Sequence, residues 1–122
     1  MALTLIYIAN TIVAGWVGIS SLYFPKLATT TVFAGAYPES EVMRLAGALW
    51  TGIALLSLMG LFRPISFSPV LILQVFYKGS WLVFVALPAI LQGSSYPKAM
   101  ALFFLIWVII LPFFIPWKQL FA

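Results

Sequence analysis

Four apolar runs, each close to twenty residues long and separated by short polar punctuation, restrict what this chain can become. The first extends from about Leu3 to Phe24 and stops at Pro25-Lys26. The second extends from about Glu41 to Phe62 and stops at Arg63-Pro64. The third covers about Pro69 to Leu91 and ends in Gln92-Gly93-Ser94-Ser95; the fourth covers about Pro97 to Ile115, before Pro116-Trp117-Lys118. A bilayer core of ~30 Å is crossed by about 20 apolar residues in a helix. A soluble fold would have to hide these runs behind a charged shell. Six basic and two acidic side chains among 122 residues cannot supply one.

The run boundaries have physical causes. Ser68-Pro69 and Tyr96-Pro97 put proline where a helix starts, at a turn whose N–H groups are unpaired anyway. Pro38-Glu39-Ser40-Glu41 places acids beside the positive end of a helix dipole. Pro88 and Pro112 fall inside runs and are expected to bend them or mark their last turns. The first run lacks a basic leader, so it is expected to be retained as a span rather than cleaved. Short connections after the second and third runs force antiparallel neighbours. The expected fold is all-α: an integral membrane up-down-up-down four-helix bundle, one transmembrane domain over 1–122, with both termini on the same side. Its orientation is open, because Arg63 and Lys118 on one side oppose Lys26, Arg44 and Lys98 on the other. The one long connection, Pro25 to Ser40, has room to lie at the interface or to fold back over the bundle.

Several chemistries are poorly supplied. The chain has no Cys and no His, which removes thiolate nucleophiles, thiolate metal sites and the commonest general base. Glu39 and Glu41 sit together in one polar segment and cannot bracket a substrate as an acid/base pair within one chain. No metal or cofactor is expected, and an enzyme is the weakest of the readings. The net charge of +4 is scattered as single residues, which fits membrane flanks and not a nucleic-acid surface. The expected partners are the lipid bilayer, other membrane subunits or a second copy of the chain, and a small anionic or hydrogen-bonding ligand.

Within the spans, small residues mark packing faces: Ala14, Gly18 and Ser21 in the first, Gly47, Ala48 and Thr51 in the second. Glu41 and Arg44 are spaced for a local ion pair at the start of the second run. Phe103, Phe104, Trp107, Phe113 and Phe114 make the fourth run bulky all round, an expected lipid or subunit surface.

Lys78 is the exception inside the third run. A lysine at mid-span costs ~2.5–3.5 kcal/mol to insert, so a compensating group is required. Both glutamates lie toward the opposite membrane face, and a helical side chain leans toward its own N-terminus, away from them. About nine residues past Pro69, Lys78 lies ~14 Å deep. Gln74 is one turn earlier on the same face, and Asn10 reaches a similar depth from the first run. An Asn10–Gln74–Lys78 polar cluster, with Trp81 as an aromatic neighbour, is therefore the candidate ligand-binding site. A purely structural tie between helices is the competing role, and a counter-ion supplied to Lys78 by another chain is the third.

Three stretches carry a family resemblance: RLAGALWTGIALLSLMGLFRP (Arg44 to Pro64), FSPVLILQVFYKGSWLVFVALPAIL (Phe67 to Leu91) and ALFFLIWVIILPFFIPW (Ala101 to Trp117). An arginine opening the second span, a Gly-Ala pair and a glycine in the next turn resemble the DoxX-like superfamily of small four-span bacterial membrane proteins. So does a long first connection beginning with Phe-Pro. The resemblance implies a multi-pass protein of the bacterial inner membrane and, for some members, an accessory role beside oxidoreductases. The expected function is a non-enzymatic membrane protein, either an accessory subunit or a small-molecule-binding bundle. The alternative is a small oligomeric transporter or channel that uses Lys78 to attract anions.

Overall fold

The computed structural model describes residues 2–121. Those residues form six helices and no strand: α1 (Ala2–Tyr23), α2 (Pro25–Thr31), α3 (Glu41–Gly60), α4 (Pro69–Gln92), α5 (Lys98–Phe114) and α6 (Trp117–Phe121). Three of them, α1 with 22 residues, α3 with 20 and α4 with 24, are long and apolar enough to cross a membrane. The fourth apolar run forms a shorter helix than the other three. Helix α5 is apolar but has only 17 residues. Its early stop follows from Pro116, since the residue before a proline is pushed out of the helical region. Ile115 accordingly adopts an extended φ of −69° and ψ of 129°.

Local chemistry sets the other ends. The Ser40 hydroxyl caps α3 by accepting a hydrogen bond from the Met43 N–H at 3.1 Å. Gly93, at φ +70°, ends α4 in the left-handed conformation that glycine adopts without a Cβ penalty. Pro88 leaves the Phe84 carbonyl without its usual donor, and the ladder widens just before it: Leu82–Ala86 form a single π turn.

Helices α1 and α3 run antiparallel and approach most closely, with Gly18 and Gly47 facing each other's backbones. The Arg44 Nε donates to the Leu22 carbonyl at 3.1 Å and ties the start of α3 to the end of α1. Helices α4 and α5 form the second close pair, whereas α3 and α4 scarcely touch along their backbones. Side chains join the pairs instead. Ile6, Tyr7, Ile53, Val70, Leu71, Leu111 and Ile115 make a core that brings the first turns of α1 and α4 to the end of α5. Tyr7 donates to the Pro64 carbonyl at 2.6 Å and anchors α1 to the α3–α4 connection. A second core at the opposite end gathers Ala28, Phe33, Met43, Met100 and Phe104. The 25–40 connection thus folds back on the bundle, beginning as helix α2, an element its threonine run did not announce.

Candidate ligand-binding site

Between the two cores lies a cavity of about 290 Å³. Asn10 comes to it from α1, Gln74 and Lys78 from α4, and Phe103 and Phe104 from α5. The helical period explains why Gln74 and Lys78 share a face: they are four residues apart, one turn along α4. Both are buried, with Lys78 4% exposed.

The Lys78 ammonium donates to Gln74 Oε1 at 2.8 Å. That is its one side-chain hydrogen bond among the described residues. The remainder of its surroundings is aromatic. The Nζ lies 5.4 Å from the ring centroids of Phe104 and Trp107, 5.5 Å from Tyr77 and 5.8 Å from Phe103. A desolvated cation–π contact contributes up to ~2 kcal/mol, and a hydrogen bond to a charged group ~1.5–3 kcal/mol. Those magnitudes are commensurate with the insertion cost of a mid-span lysine. Among the described residues, the neighbours of the ammonium are dipoles and quadrupoles, with no carboxylate among them. Glu41 is far off, 3.9 Å from Arg44 in an exposed pair at the start of α3.

Because Lys78 can only donate, Gln74 must present its oxygen to it, which turns the amide Nε2 toward other partners. No partner meets it, and the Asn10 Nδ2 is likewise buried and unpaired. Lys78, Gln74 and Asn10 thus line one apolar cavity, and the unpaired amide nitrogens of the last two lie buried in its wall. Unpaired buried donors cost ~1–3 kcal/mol each, and an acceptor in the cavity would relieve that cost once an amide turned toward it.

Of the residues singled out from sequence, Asn10, Gln74 and Lys78 line this one cavity. Trp81 does not. One helical turn beyond Tyr77, it packs edge-on against Phe104 at 5.3 Å and lines a neighbouring cavity. The fourth run is also less uniform than its composition implied. Phe103, Phe104 and Trp107 turn inward around Lys78, leaving Leu102, Leu105, Ile106, Ile109 and Phe113 on the outside. Their spacing, at i, i+1 and i+4, already describes one helix face. Trp50 and Tyr77 are further members that sequence reasoning passed over. The Trp50 Nε1 donates to the Tyr77 hydroxyl at 3.1 Å, across the gap between α3 and α4. Set against family models, curated proteins and solved structures, the chain matches none.

Proposed function

We propose that this protein is a non-enzymatic four-span bundle of the DoxX-like kind, with both termini on one side of the membrane, that binds a small anionic or hydrogen-bond-accepting molecule. Helix α5 serves as the fourth span: at 1.5 Å per residue its 17 residues reach about 26 Å, and a tilted or locally thinned bilayer accommodates the difference. The observation that carries the binding function is the convergence of Lys78, Gln74 and Asn10 on one apolar cavity, with the amide nitrogens of the last two buried and unpaired in its wall. A structural tie between helices would be expected to pair these groups with one another. Only one pairing, Lys78 with Gln74, is made.

The placement of Lys78 favours binding over the oligomeric transporter or channel. Its ammonium is enclosed by aromatic side chains of α4 and α5 of the same chain and is not left on an exposed face. The test is thermal unfolding of the purified protein with octanoate added. A ligand at 100 times its dissociation constant stabilises the folded state by ~2.7 kcal/mol. Wild type should show a saturable rise in melting temperature that Lys78→Met, still helical by circular dichroism, does not. A shift of equal size in both proteins removes Lys78 from the site.

A further inference from the structure

The Lys78 cavity shares a wall with the neighbouring one. Trp50, Tyr77, Met100 and Phe104 line both, and the second cavity, of about 380 Å³, lies beneath Phe33 and Tyr37 of the 25–40 connection. The shared wall includes three aromatic rings and one thioether. Met100 is its adaptable member, with three rotatable bonds that let it fill or vacate a gap.

We propose that the two cavities form one elongated site for a long-chain amphiphile bearing a single carboxylate, with its head at Lys78 and its tail beneath the 25–40 connection. The proposal rests on the reading of the Lys78 cavity as a binding site and names the ligand class. One ammonium without a counter-ion calls for one negative charge. A carboxylate presents two oxygens, one for the Lys78 Nζ and one for the unpaired amide of Gln74 or Asn10. The charged group stands at one end only, since Lys78 is absent from the lining of the second cavity. Of the neutral polar groups that do line it, Ser40 has its hydroxyl engaged in capping α3, while the Tyr37 hydroxyl is buried and unpaired and carries no charge to hold a carboxylate. Size agrees as well. Sites for drug-sized ligands span about 300–1,000 Å³, so a cavity of about 290 Å³ suits a compact head with a short tail, while the joined pair admits a long chain.

The test uses octanoate and hexadecanoate, each carrying ¹³C at the carboxyl carbon, with the protein in phosphatidylcholine nanodiscs. The bound carboxylate signal is followed by NMR in wild type, Lys78→Met and Ala46→Trp. Ala46 lines the second cavity and is absent from the first. Wild type should bind both chains, and Lys78→Met neither. Ala46→Trp should bind octanoate as wild type does and hexadecanoate at least about tenfold more weakly. Equal affinity of Ala46→Trp and wild type for hexadecanoate overturns the elongated site and leaves the carboxylate head site intact. Absence of a bound signal for either chain in folded wild type overturns both. A second measurement avoids substitution in the tail cavity: hexadecanoate brominated at its far end should quench tryptophan emission more in wild type than in Lys78→Met, because Trp50 and Trp81 border the tail. Equal quenching in the two proteins counts against the proposal even if Ala46→Trp fails to fold.

Discussion

Gly47→Ala tests the closeness of the α1–α3 pair. A Cβ added at Gly47 would stand 2.6 Å from the Leu22 nitrogen, 2.9 Å from the Gly18 oxygen and 2.9 Å from the Ser21 carbonyl carbon. All three are backbone atoms, so no side chain can swing aside. Ordinary contact begins near 3.4 Å, which requires the helices to separate by roughly 0.8 Å. A gap of that size forfeits about a quarter to a half of each dispersion contact along the seam. Overpacking of this kind costs ~1–3 kcal/mol. Alanine's better helix propensity returns up to ~1 kcal/mol. The control lies in the same helix: a Cβ at Gly52 meets nothing within 4 Å, so Gly52→Ala should be neutral or more stable by up to ~1 kcal/mol. The two variants should therefore differ by ~2 kcal/mol, Gly47→Ala being the less stable. Unfolding in mixed micelles with rising dodecyl sulfate, followed by tryptophan emission, measures the difference. Stabilities agreeing within ~0.5 kcal/mol would refute the close backbone seam.

Gln74→Leu should destabilise the protein by about 2 kcal/mol or more, because it removes the hydrogen bond that supports a buried ammonium. Lys78→Met should cost less, since it deletes the charge itself, and the double variant should recover most of the Gln74→Leu loss; strict additivity in the same micelle titration would show the two side chains to be independent. Arg44→Ala should cost ~0.5–1.5 kcal/mol through its bond to the Leu22 carbonyl, while Glu41→Gln should change stability by no more than ~0.5 kcal/mol, its side chain being 91% exposed. The reverse ranking would make the surface ion pair the anchor. Tyr7→Phe should cost ~1 kcal/mol by leaving the Pro64 carbonyl without its phenolic donor, and an unchanged unfolding midpoint would show that water replaces the hydroxyl there.

The strongest signals in the sequence were those set by single, local rules. Apolar run length located α1, α3 and α4, and Pro69 marked the start of the last of them. The four-residue spacing of Gln74 and Lys78, together with the placement of both acids toward the opposite membrane face, brought those two side chains into one cluster. Properties that depend on rotation about a helix axis were harder to read. Trp81 lies three residues from Lys78, a spacing that permits contact without requiring it; its ring instead follows Phe104 into the second cavity. In α5, large apolar side chains occupy both faces, so hydropathy carried no sign to say which turned inward. The aromatic surround of Lys78 was hidden for that reason. Helix α2 was hidden for another: Thr29, Thr30 and Thr31 are weak helix formers, and their hydroxyls bond back to the Lys26 and Leu27 carbonyls, a local arrangement that composition does not reveal.

The two helix pairs are built from different materials, and they will not deform alike. Where α1 meets α3, backbone lies against backbone through Gly18 and Gly47, an arrangement with no soft coordinate. Where α4 meets α5, the joint consists of rings set edge to face and a long methionine, each able to turn about its own bonds. Helix α4 also carries a widened turn at Leu82–Ala86, a natural place to flex. Any occupant of the interior must push against one wall or the other, and only the second can yield. The first half of the chain is a rigid post, and the second half is the door hung on it.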